Sequence, residues 1–70
     1  MKLAILITKH LHQYEFTVDE LLELTTVTVN IQDNDGDLEY LAAWVYRNLP
    51  ISFEGSYRIA RELIALKEQL

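Results

Sequence analysis

Apolar positions recur along this chain with two different periods, and the switch between them organises the expected elements. Near the C-terminus, Ile59, Leu63, Leu66 and Leu70 fall at i, i+4, i+7 and i+11, and Ala60 and Ile64 widen the stripe. That spacing predicts a helix buried on one face, with Ser52 or Ser56 as N-cap and Lys67 near the negative end of its dipole. At the other end, Leu3, Leu6, Ile7, His10, Leu11 and Tyr14 also fit a helical stripe, with Lys2, Lys9, His12 and Gln13 largely opposite. The run Leu3 to Ile7 would serve equally as a buried strand, and helix is the preferred reading. Thr17-Val18-Asp19-Glu20 has the form of a capping box, flanked by Phe16 and Leu21 as a possible hydrophobic staple. A short helix from Val18 to about Leu24 follows from it.

The period then changes to two. Val27, Val29 and Ile31 alternate with Thr26, Thr28 and Asn30, the pattern of a half-buried strand rich in β-branched residues. Asp33-Asn34-Asp35-Gly36 reads as a hairpin turn, since Asn, Asp and Gly tolerate positive φ. The segment Asp37 to Leu49 reads as a second strand, with Leu38, Tyr40, Ala42, Trp44 and Tyr46 on one face and Leu41, Ala43 and Val45 on the other. Its alternative is a helix that would bury Leu38, Leu41, Ala42, Val45 and Leu49. The expected architecture is therefore α+β, a single domain over residues 1–70. In it a small antiparallel β-sheet, with its hairpin around Asp33–Gly36, packs against a C-terminal α-helix and follows short N-terminal helical segments.

Composition limits what such a domain can do. Seventy residues without a cysteine have neither a disulfide nor a thiolate metal site, so oligomerisation or a bound partner is the usual support for a chain this small. No apolar run approaches the roughly 20 residues of a membrane span, and the N-terminus lacks the features of a signal peptide, so a cytoplasmic location is expected. Charge is strongly uneven. Between His10 and Tyr46 there are eight carboxylates and no Lys or Arg, whereas the flanks carry six cations against three acids, which gives −8 and +3 for the net −5. That asymmetry points to a patterned surface for a partner and away from nucleic acid, which requires a basic footprint.

Candidate chemistry is sparse. His10 and His12 lack a third ligand for a metal. Aligning Gly36 with the glycine of a calcium loop puts Ile31 and Ala42 where carboxylates belong, so no calcium site is expected. No phosphate-binding glycine loop, nucleophile elbow or dinucleotide fingerprint occurs, nor the Asp-Ser-Leu setting of a small acyl carrier. An enzyme is not expected, and neither is a cofactor. Phe53 and Tyr57, four apart, would share a face of a helical first turn beside Glu54. They are either a core aromatic pair or an aromatic pocket with an anionic rim, suited to gripping a side chain of a partner.

At this point the sequence resembles the small phage-encoded inhibitors of uracil-DNA glycosylase found in short-tailed Bacillus phages. Two blocks carry the resemblance: Val27 to Gly36, and Phe53-Glu54-Gly55-Ser56-Tyr57 followed by Glu62-Leu63-Ile64. With the connecting segment they cover about 40 of the 70 residues, and neither motif is specific alone. The resemblance implies an antiparallel sheet with a helix, a dimer, and a DNA mimic that occupies the cleft of uracil-DNA glycosylase. It implies that Phe53 and Tyr57 sequester the enzyme's hydrophobic wedge and that Glu54 stands in for a phosphate. By charge, Asp37, Glu39 and the Asp19-Glu20-Glu23 cluster are expected to steer association. Residues 1 to about 20 are an extension relative to that family, so homodimer and monomer both remain open. Ala42-Ala43-Trp44 is also less polar than the family pattern. The alternatives are an acidic mimic aimed at another DNA-binding enzyme, such as a restriction or CRISPR nuclease, and a small dimeric structural module with no inhibitory role.

Overall fold

The computed structural model describes residues 2–32 and 35–70, and they form four helices: α1 (Lys2–His10), α2 (Val18–Asn30), α3 (Asp35–Asn48) and α4 (Phe53–Glu68). No strand occurs among the described residues, so the expected α+β fold with its antiparallel sheet is replaced by an all-helical one. Asp35 and Gly36, expected in a hairpin turn, open α3; Asp33 and Asn34 lie outside the described residues.

The helix starts follow the caps. Thr17 Oγ1 accepts the Glu20 N–H at 3.1 Å, and Glu20 Oε1 accepts the Thr17 N–H at 2.9 Å, which closes the capping box. Phe16 and Leu21 on either side are both half-buried against the core. Of the two serines, Ser52 is the cap of α4, accepting the Gly55 N–H at 3.1 Å. The α4 stripe is buried as its spacing predicts through Ile59, Ala60, Leu63, Ile64 and Leu66, whereas Leu70 is exposed beyond the helix end. In α1, Leu3 and Ile7 are buried, as is Leu11 just after it.

The main departure is α2, which runs to Asn30 instead of stopping near Leu24. Its alternating Thr and Val positions are read differently on a helix. The buried residues are Leu24, Thr25 and Thr28, while Val29 is 47% exposed. Each buried threonine satisfies its own hydroxyl: Thr25 Oγ1 donates to the Leu21 carbonyl at 2.7 Å and Thr28 Oγ1 to the Leu24 carbonyl at 2.8 Å. A threonine so bonded presents its methyl to the core without an unpaired polar atom. Five β-branched residues in a helix cost about 2–3 kcal/mol in propensity relative to alanine. Burying Leu24 and Ile31 contributes about 1.5–3 kcal/mol each, which is enough to override that cost.

The same comparison decides α3. Leu41, Ala42, Val45 and Leu49 are buried and Leu38 is half-buried, the set that the helical alternative for Asp37–Leu49 requires. A strand there would have needed a partner strand, and α2 is not one. Trp44 is buried as well, and its indole N–H donates to Glu23 Oε1 of α2 at 2.7 Å. All four helices contribute to one buried cluster, with the most extensive pairing between α3 and α4. α1 rests on α2 and α4, and α2 on α3 and α4, within a slab of 26 × 26 × 17 Å. The far end of α4 is tied to α2 by Lys67, whose ammonium donates to the Ile31 carbonyl at the α2 C-cap. No helix among those described is long and apolar enough to cross a membrane.

The helical register makes a prediction that separates it from the strand. Val29→Lys should change stability by no more than about 0.5 kcal/mol, whereas Thr28→Lys should cost several kcal/mol by burying an unpaired cation. Urea titration followed by far-UV circular dichroism checks the order, and a strand would reverse it.

Candidate functional site

The turn between α3 and α4 builds the most distinctive surface of the molecule. Leu49 closes α3 with its N–H on the Val45 carbonyl, and the Ile51 N–H then bonds the Leu49 carbonyl at 2.9 Å. This tight connection returns the chain at Ser52, so that Phe53 at the start of α4 faces Tyr46 in the last turn of α3. A β-carbon on Gly55 would come within 2.7 Å of Ile51 Cγ1 and 2.9 Å of its Cδ1. Glycine at this position therefore lets the turn fold down onto the first turn of α4.

Three aromatic rings result in series. Tyr46 and Phe53 lie 5.7 Å apart, centroid to centroid, with their planes at 86°. Phe53 and Tyr57 lie 5.2 Å apart at 75°. Both contacts are edge-to-face, the arrangement the ring quadrupoles favour, and such pairs contribute about 0.5–1.5 kcal/mol each beyond burial. Tyr57 is half-buried against the core, but Phe53 is 58% exposed. The two open readings of this pair thus divide between its members: Tyr57 is partly a core residue and Phe53 is a surface one. Glu54 is exposed beside Phe53 in the first turn of α4, where a carboxylate suits the helix dipole. It lines a shallow recess with Ser52, Gly55 and Arg58.

The expected acidic residues do not surround this cluster. Asp37 is nine residues before Tyr46 on α3, about 14 Å along the helix axis. Its Oδ2 accepts the Gln32 N–H at 2.8 Å and so fastens the α2–α3 connection. Glu20 completes the α2 capping box, and Glu23 holds the Trp44 indole. Three of the carboxylates expected to steer a partner therefore already take part in internal hydrogen bonds. Glu39 and Glu54 are exposed and make no ion pair among the described residues.

Two features escaped the sequence reading. Tyr46 is the third ring of the ladder, and it is assigned there only once Asp37–Leu49 is a helix. The other is an open cleft where the end of α1 meets α4, lined by His10, His12, Tyr14, Arg58 and Glu62 among others. Here His10 Nε2 lies 3.2 Å from Glu62 Oε2, so the histidine expected on the apolar stripe sits at its margin and links α1 to α4. No group of three or more His, Cys, Asp or Glu that could hold a metal ion occurs among the described residues. Comparison with protein-family models, with curated proteins and with solved structures gives no match.

The Glu23–Trp44 contact generates a stability test. Glu23→Ala should cost about 1–2 kcal/mol by leaving a buried indole N–H without an acceptor, while Glu23→Gln retains an acceptor and most of the stability. Thermal unfolding and Trp44 fluorescence together check this, and equal losses in the two variants would refute the role of the hydrogen bond.

Proposed function

We propose that this chain is a protein-binding module that acts without catalysis, and that its contact surface is the ladder Tyr46–Phe53–Tyr57 with Glu54 beside it. The observation that carries the reading is Phe53, an apolar ring more than half exposed yet held edge-on between two tyrosines. A ring fixed in this way loses little conformational entropy on binding, and aromatic anchors of this kind dominate interface energetics. Glu54 adds a charge that favours a partner with a cation next to an apolar side chain.

Inhibition of uracil-DNA glycosylase, as a DNA mimic in the cytoplasm of a bacterial host, is the narrower form of this proposal. Its support is the exposure of Phe53 next to Glu54, the pair to which the resemblance gives the wedge-binding and phosphate-mimicking roles. It is weakened by the loss of the antiparallel sheet that belongs to that family, and by the internal engagement of Glu20, Glu23 and Asp37.

The broad and narrow forms are tested together. Phe53→Ala loses both ring contacts and should cost about 1–3 kcal/mol while leaving the helical far-UV dichroism spectrum unchanged, and should abolish binding to any partner that uses the ladder. For the narrow form, a several-fold excess of the protein should suppress uracil excision by a bacterial glycosylase, and Glu54→Lys should relieve the suppression. An unchanged excision rate rejects the glycosylase and leaves the broader reading to be judged on binding by the Phe53→Ala protein.

A further inference from the structure

A second exposed apolar surface lies away from the ladder, where α1 and α2 run side by side. Between them is a groove lined by Ala4, Ile5, Thr8, Lys9 and Leu21. The Thr8 hydroxyl donates to the Ala4 carbonyl of its own helix at 2.8 Å, so it offers no unmet polar group to the groove. Ile5 is 55% exposed, and on α2 Val18 and Leu22, one turn apart, are 74% and 54% exposed. These are large side chains to leave in water on a chain of this size.

The charges around the groove say what covers it. α1 carries Lys2 and Lys9 and no carboxylate, and both lysines share the stripe of Ile5 at spacings of three and four. α2 carries no cation, and its stripe of Val18 and Leu22 is bordered by Asp19, three residues before Leu22, with Glu23 one turn further on. Lys2, Lys9 and Asp19 are exposed and form no ion pair within the described chain. One edge of an apolar surface is therefore basic and the opposite edge acidic.

The geometry points to a second copy of this chain as the occupant, docked groove to groove about a two-fold axis. Such an axis lays α1 of one copy along α2 of its partner, and does so twice, because each patch of an isologous interface meets its own symmetry mate. Ile5 then packs on Val18 and Leu22 across the interface, and the lysine edge of each copy meets the acidic edge of the other. An arrangement that satisfies both signs at once arises naturally from self-association, whereas a foreign partner would have to carry the same two edges in mirror order. A standard interface covers about 800 Å² on each side, roughly a sixth of the 4631 Å² surface of this chain. Association also supplies the extra burial that so small a domain lacks.

Sedimentation equilibrium on the full chain tests this, over about 5 to 500 μM where a small interface dissociates. The unmodified protein should pass from one to two chain masses. Leu22→Lys should weaken association by about 100-fold or more, as expected for a charge placed in an interface core, with an unchanged far-UV dichroism spectrum. Ile5→Lys is the second variant, should Leu22→Lys fail to fold. Lys9→Glu should weaken association by about tenfold, and adding Asp19→Lys should recover it. Phe53→Ala should have no effect, which separates this surface from the ladder. A chain that stays monomeric throughout overturns the inference. So does a dimer that survives Leu22→Lys and Ile5→Lys, or one that Phe53→Ala abolishes.

Discussion

Among the described residues the indole N–H of Trp44 has one acceptor, Glu23, and much of the architecture is linked to their meeting. Trp44 is 2% exposed, so its polar atom had to find a partner inside the molecule, and the partner comes from a different helix. For Glu23 to reach it, α2 must present residue 23 toward α3, the same rotation that buries Leu24, Thr25 and Thr28. With residue 23 toward α3, Leu24, Thr25 and Thr28 turn into the core and Val18, Leu22 and Val29 turn out of it. One hydrogen bond is thereby linked both to the burial of threonines and to the exposure of apolar side chains on the opposite flank.

This explains what was legible in the sequence. Signals that concern one helix by itself were reliable: the reciprocal Thr17–Glu20 cap, the Ser52 cap and the stripe from Ile59 to Leu66 all stand in the structure. Signals whose meaning depends on a neighbour were not. Val27, Val29 and Ile31 alternate as well in a helix as in a strand, and only the packing of α2 shows that the intervening threonines face inward. A threonine is polar when its hydroxyl must seek a partner and nearly apolar once it bonds the carbonyl four residues back. Asp37–Leu49 suited both periods because Tyr40 and Tyr46, counted as one face of a strand, are surface residues of a helix. The resemblance took its first block from Val27 to Gly36, so it inherited the same error about the fold.

The acidic middle third illustrates a related limit. Its charge is a property of composition, but its availability is a property of structure. Glu20 stabilises a helix start, Glu23 holds an indole and Asp37 fastens the α2–α3 connection, each a role that a carboxylate fills because it accepts hydrogen bonds strongly. A carboxylate that accepts one bond retains charge and further lone pairs, so the field of the region persists. What changes is its geometry, since these groups are held in position along α2 and at the start of α3 instead of ringing Phe53.

The ladder itself shows how a small fold can hold an apolar ring in water without collapsing around it. Phe53 would bury itself if the α3–α4 connection were long enough to let it turn inward. The connection is instead short: Pro50 fixes one φ, Ile51 bonds back to Leu49, and Gly55 admits Ile51 so closely that the inner space is already filled. Ile51 thus occupies the inner position under the turn, and Phe53, two residues on, is left on the outside, edge-on to Tyr46 and Tyr57. Enlarging residue 55 would push Ile51 outward and release that constraint. The exposure of Phe53 is therefore a consequence of packing beneath it, and a partner that meets this ring meets one already fixed in place.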